Sequence, residues 1–335
     1  MSTMILMRSR TLRSGCAMAL LAIMTPAGLN PAAAAWPGDK VIRIIVTNQP
    51  GGPTDEVARL LAIEMGPLIG ATLIVENRPG ASSNIGITAA ARAEPDGYTL
   101  LLAPTSITVN PAVSEKVSFD PIKDFAPISL AVTSPVIFAL GPKLGITTLA
   151  DFVKLARQQP DLMNYSSPGV ATVPHLAAEL FKKRAGIQMA HVPHSGTAPA
   201  AQAVLTGAVQ FHSGSMQPAQ QLIEGGQMIG LSVTGEKRWR GLPNVPTMTE
   251  LGFADFVIES MFSLFAPAKT PPEIVDKLAQ SAETVLKRPQ NVKRLNATGL
   301  EVVAGGPEVL RARVAFEVPY WRELALKAGV KPVSQ

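Results

Sequence analysis

Four short stretches hold the residue types best suited to chemistry. Gln49-Pro50-Gly51-Gly52-Pro53-Thr54-Asp55 follows one β-branched run, and Ser166-Ser167-Pro168-Gly169-Val170-Ala171-Thr172 follows another. Pro193-His194-Ser195-Gly196-Thr197 closes a third, and Ala103-Pro104-Thr105-Ser106 a fourth. Glycine allows a ligand close to the backbone, the start of a helix leaves N–H groups unpaired, and Ser/Thr hydroxyls add donors. A ring of such neutral donors holds an anion, most simply a carboxylate, without a buried arginine. Taken singly, each loop reads as an ordinary helix cap worth about 1 kcal/mol. Four of them in two parts of the chain point to a cleft.

Catalytic signatures are missing. Gly80-Ala81-Ser82-Ser83-Asn84 lacks the final glycine of a nucleophile elbow. No phosphate loop and no strand-linked G-x-G-x-x-G occurs, so no nucleotide cofactor is expected. The four histidines are His175, His191, His194 and His212, and no carboxylate or cysteine stands near them at a ligand spacing. Packing, or a hydrogen bond to ligand, is therefore the expectation over metal. Asp55 and Glu56 read as first-turn acids that complement a helix dipole, not as an acid–base pair. A binding protein is expected, with no cofactor and no metal; the enzymatic alternative is a metal hydrolase using His191, His194 and His212.

These loops need a scaffold. Strand-like runs at 41–47, 73–76 and 98–103 alternate with helical patterns at 53–68 and 84–92. A long apolar run at 127–140 reads as a buried crossover strand. A second alternation follows: helices at 149–158, 172–185, 198–205 and 217–223, with strands at 163–165, 188–192, 208–212 and 229–234. A strand at 260–265 and helices at 272–286 and 307–326 complete the pattern. This alternation predicts an α/β fold whose lobes are mostly parallel sheets flanked by helices. In such sheets ligands bind at the carboxyl edge of the strands, where all four loops fall. The expected boundaries are 36–135 with 250–335 for the first lobe and 136–249 for the second.

The chain has 335 residues, 47% hydrophobic and 16% charged, with a formal charge of +5. Arg8, Arg10 and Arg13 lie in the first 35 residues, which contain no acid; the remainder carries 27 basic and 25 acidic side chains. A nearly balanced charge with no Lys/Arg block excludes a nucleic-acid-binding protein. Cys16 is alone, so no disulfide framework exists. The basic start, the apolar run at 15–24 and Ala33-Ala34-Ala35 predict a signal peptide over 1–35, cleaved before Trp36. The run falls short of the roughly 20 residues needed to span a bilayer. A periplasmic location follows, and a monomer is expected.

Longer motifs then carry a resemblance. Trp36-Pro37, Pro50-Gly51-Gly52-Pro53-Thr54-Asp55 with Ala58-Arg59, Val75-Glu76-Asn77-Arg78-Pro79-Gly80-Ala81, and Pro95-Asp96-Gly97-Tyr98-Thr99-Leu100 form an ordered series. It continues through Asp124-Phe125-Ala126-Pro127-Ile128, His191-Val192-Pro193, and Leu242-Pro243-Asn244-Val245-Pro246-Thr247 to Ala266-Pro267-Ala268. The series resembles the Bug-type substrate-binding proteins of tripartite tricarboxylate transporters over nearly all of 36–330. The resemblance implies a two-lobed periplasmic binding protein of type II, with two crossovers. Such a receptor captures a small mono- or dicarboxylate and hands it to a membrane permease; a sensor feeding a signalling kinase is the alternative. By position it implies ligand contacts at Gly51, Gly52, Pro53, Thr54, Asp55, Thr105 and Ser106 in the first lobe. In the second it implies Ser166, Gly169, Thr172, His175, His194, Gly196 and Thr197.

The chain also departs from that pattern. His194-Ser195 stands where the family usually has an aromatic and a basic residue, Gln210 where it often has an acid, and Ser82-Ser83 in place of a Gly-Gly pair. The histidines are expected to add a titratable donor near pH ~6–7.

Overall fold

Ile42, Ile44, Ile45 and Val46 make a strand apolar on both faces, and β1 (Ile42–Val46) buries every residue except Arg43. The computed structural model describes residues 36–114 and 117–330. The expected signal peptide lies outside these residues. Helix α1 (Pro53–Ile69) begins with proline at its first turn beside Asp55 and Glu56, and ends on left-handed Gly70. It leads into β2 (Leu73–Asn77), then α2 (Asn84–Ala91) and β3 (Thr99–Pro104). β2 and β3 pair in parallel on either side of β1.

After β3 come α3 (Ser106–Val113) and β4 (Phe125–Leu140), a 16-residue strand buried from Ile128 onward. The second alternation runs α4 (Leu149–Gln158), β5 (Asn164–Ser167), α5 (Val173–Ala185), β6 (Ala190–Pro193), α6 (Thr197–Thr206), β7 (Phe211–Ser215), α7 (Met216–Glu224) and β8 (Ile229–Val233). Here β5 pairs in parallel with both β6 and β7. The chain returns through β9 (Glu259–Pro267) to α8 (Pro272–Leu286), α9 (Pro289–Ala297), β10 (Glu301–Gly305) and α10 (Pro307–Ala328).

The strand order is β2-β1-β3-β9-β4-β7-β5-β6, with β8 and β10 also on β4. Two long strands join the lobes. β4 pairs with β9 and β10 along its first part, then with β7 and β8 over Val136–Leu140. β9 joins β3 to β4, and all pairings of these two crossover strands are antiparallel. The parallel pairs therefore sit in the wings, and the join between lobes is antiparallel, which apolar periodicity does not disclose.

Two of the apolar clusters sit on different parts of the sheet. One gathers Leu61, Met65 and Leu102 with Leu278 and Val285, and another Phe138, Tyr165, Phe181 and Phe211 with Phe256. Val109 and Val113 of α3, and Trp321 and Leu324 of α10, pack into the second of these. Helix α3 was not expected from the sequence, because Ser106-Ile107-Thr108-Val109 is β-branched and Pro111 lies inside it. Tertiary contacts hold it: Thr108 Oγ1 donates to Glu317 Oε2 of α10 at 2.6 Å. Helix α9 is mostly polar, and strand β10 is only five residues long and ends on Ala304-Gly305, so neither carries a clear periodic signal.

Candidate functional site

The loops at the carboxyl ends of β1, β2, β3, β5 and β6 surround one cavity of about 620 Å³. Of the contacts implied by sequence, Gly51, Gly52, Pro53, Thr54, Thr105, Ser106, Gly169, Thr172, His194, Gly196 and Thr197 line it. Asp55, Ser166 and His175 do not; they lie behind the wall. Among the described residues, no lysine, arginine, aspartate or glutamate lines this cavity. Another cavity of about 470 Å³, between α8, α10 and the loop before β4, includes Asp276, Glu308 and Arg311 and lies away from these loops.

Helix starts supply the donors. Gly52 caps α1 and Gly196 caps α6, and neither helix has a side chain capping its first N–H groups. Gly196 sits at φ 132°, a backbone conformation that L side chains rarely adopt. Thr105 before α3 and Ser83 before α2 likewise make no side-chain cap, whereas Thr172 Oγ1 accepts from His175 N–H at 3.5 Å. Each helix N-terminus carries roughly half a positive charge. The cavity is thus positive in field without a cation on its wall. Two buried side-chain polar atoms in the wall have no hydrogen-bond partner among the described residues: Ser106 Oγ from the first lobe and His194 Nε2 from the second. Buried polar atoms are normally paired, so both are available to a ligand.

Asp55 braces the first loop. Its carboxylate accepts from Gly51 N–H at 3.0 Å, from Arg59 at 2.8 and 3.0 Å, and from Asn77 Nδ2 at 2.9 Å. Burial alone would raise the Asp55 pKa, but the bonds from Arg59, Gly51 and Asn77, with the Arg59 charge, outweigh it and hold the carboxyl below its ordinary value. Thr54 Oγ1 donates to Asn48 Oδ1 at 3.0 Å, which ties the loop to the end of β1.

The second lobe backs its loops with histidines. Ser166 Oγ and His212 Nδ1 share a hydrogen bond of 3.0 Å, and Ser167 Oγ and His191 Nε2 share one of 2.7 Å. His191 stacks between Tyr165 and His175, with ring centroids at 4.7 and 4.3 Å. Burial pushes His175 down to about 4, His191 to about 3 and His212 to about 4. The expectation that the histidines titrate near neutrality is therefore corrected for these three: buried imidazoles resist charging and stay neutral. Among the described residues, no three His, Cys, Asp or Glu side chains stand together where they could hold a metal ion.

The sequence reading missed other lining residues: Asn48, Ser82, Ser83, Asn110, Ser215 and Phe262. The loop after β2 lies at the same carboxyl edge, so the edge rule applied to it would have found Ser82 and Ser83. Ala81, Ser82 and Ser83 take consecutive left-handed φ values of 45°, 51° and 78°. Each costs of order 1–3 kcal/mol, a strain that surrounding contacts must hold. Asn110 Nδ2 supplies one, donating to the Ser82 carbonyl at 2.7 Å.

A model of the tripartite tricarboxylate transporter family receptor matches residues 57–328. The chain belongs to that family. It is 30% identical to Protein BugT of Bordetella pertussis over 292 residues, 87% of this chain and 90% of the relative. Among solved structures, the periplasmic binding protein BugD aligns with a TM-score of 0.80 at 33% identity, covering 87% of this chain and 98% of BugD. An R. palustris protein solved with adipate aligns with a TM-score of 0.83 at 30% identity, covering 89% of this chain and all of the other. This family of receptors is periplasmic and binds substrates. Among the described residues, no helix is long and apolar enough to cross a membrane.

Proposed function

We propose that this receptor binds a small mono- or dicarboxylate between its lobes, outside the cytoplasm, and delivers it to the permease of a tripartite tricarboxylate-type transporter. The carrying observation is the pair of glycine-capped helix starts, Gly52 on α1 and Gly196 on α6, which face one uncharged cavity from different lobes. N–H groups left uncapped in this way bind anions. The adipate held by a solved relative supports the same ligand class. The lobes divide at 36–135 with 250–335 and at 136–249, and β4 and β9 bend to close them over the ligand. Closure completes the donor ring and favours the bound conformation by its additional contacts. Gly51, Gly52, Pro53, Thr54, Thr105, Ser106, Gly169, Thr172, His194, Gly196 and Thr197 form the contact set, while Asp55, Ser166 and His175 support it from behind.

A thermal-shift screen against aliphatic, aromatic and amino carboxylates tests this reading. A true ligand at about 100 times its dissociation constant stabilises the protein by roughly 2.7 kcal/mol. Stabilisation by a small carboxylate is the expected result. A protein purified free of endogenous ligand that responds to no carboxylate would overturn it.

A further inference from the structure

We infer that the cleft selects organic acids that carry no ammonium group, so that it takes a plain carboxylate and rejects the corresponding α-amino acid. The inference rests on the receptor reading above and adds the substrate class.

Among the described residues no carboxylate lines the cavity, and the acids nearest to it are either engaged by other groups or face away. Asp55 accepts from Gly51, Arg59 and Asn77, which leaves its oxygens engaged behind the loop. Glu259 adjoins lining residue Ser260, but successive strand residues face opposite ways. Ser260 and Phe262 both line the cavity, so Glu259 lies on the far side of β9, where its charged neighbours are Arg313, Glu301 and Glu236. Glu179 is held by the Tyr165 hydroxyl and by Lys182. Gln210, a neutral residue, has its Oε1 occupied by Asn164 N–H at 3.0 Å.

The remaining wall disfavours a cation. Helices α1, α2, α3 and α6 all start at the cavity without a side-chain cap, and their N-termini repel positive charge. An ammonium buried there would give up its water shell without an ionic partner, a penalty that a hydrogen at the same position does not bear. The carboxylate of the same molecule loses nothing by comparison. Discrimination therefore falls on the amino group.

Matched pairs isolate that group. Calorimetric titration of the purified, ligand-free protein uses succinate with aspartate, glutarate with glutamate, 4-methylpentanoate with leucine, and 3-phenylpropanoate with phenylalanine. In every pair that binds, the acid without the amine is expected to bind tighter by on the order of 100-fold or more. Equal binding within a pair, or preference for the amino acid, overturns the inference and leaves the receptor reading standing. Failure of every acid in all four pairs overturns the assignment of a small-carboxylate ligand itself, a result distinct from loss of discrimination.

Discussion

A Cβ added at Gly214 would lie 2.0 Å from His212 Nε2, so the imidazole occupies the space that any side chain at 214 would need. His212 is fully buried, and its other nitrogen is tied to Ser166 Oγ. The ring has nowhere to withdraw. Gly214→Ala should therefore destabilise the protein by about 1–3 kcal/mol, the usual cost of overpacking a core. Denaturant unfolding measures it. Adding His212→Ala to Gly214→Ala should recover part of the loss, and a neutral single variant would refute the packing account.

Neutral buried histidines make stability fall on acidification. His175, His191 and His212 have folded pKa values depressed to about 4, 3 and 4, below the ordinary 6.5. In this range the unfolded chain binds protons that the folded protein does not. The stabilisation is thus fully present above about pH 6.5 and is lost progressively as pH falls toward the folded values. For fully buried His212 the loss between pH 7 and pH 5 is on the order of 2 kcal/mol. Melting temperature should hold steady from about pH 8 to 7 and drop below about 6.5. His212→Gln should shallow that slope; an unchanged slope would count against His212 as a contributor.

Asp55 makes the complementary case. Its pKa is lowered, so its contribution is present above the unfolded carboxyl pKa and is lost as pH falls through the lower folded one. Asp55→Asn should cost about 1–2 kcal/mol at neutral pH, discounted because Arg59 is half exposed. The gap between the two proteins should close at strongly acidic pH, where Asp55 is itself protonated. Urea unfolding at both pH values checks this, and a gap independent of pH would refute the ionic brace.

Much of this architecture can be read from residue patterns alone. β-branched runs such as Ile42–Val46 and amphipathic runs such as Leu149–Gln158 announce themselves by period, and Pro53 and Gly70 mark the ends of α1. Helix α3 could not be read, because what holds it is non-local. Thr108 bonds to Glu317, 209 positions away, and Asn110 reaches the strained turn at Ser82. The same limit applied at the cleft. Its glycine and hydroxyl loops were visible as strand-to-helix junctions, whereas Phe262 lies in a strand that the pattern does show, whose antiparallel pairing and place beside the cavity have no local signature. Burial of His175, His191 and His212 likewise depends on packing between distant segments, so composition alone suggested titration near neutrality where the folded environment forbids it.

The donor-ring account makes its sharpest prediction at Gly52. The backbone there is extended at φ −93°, and a Cβ would meet nothing within 4 Å, so the free protein accommodates a side chain. Gly52→Val should leave unfolding stability within about 0.5 kcal/mol. It should nevertheless abolish carboxylate binding, because the branched side chain keeps a ligand from the uncapped N–H groups of α1. Arg78 is paired with Glu76 at 2.6 Å, and neither Arg78 nor Arg92 lines the cavity. Arg78→Ala and Arg92→Ala should leave affinity nearly unchanged. Titration calorimetry on the three variants separates the two modes of anion capture: a large loss in either arginine variant, or undiminished binding by Gly52→Val, would sink the donor-ring account.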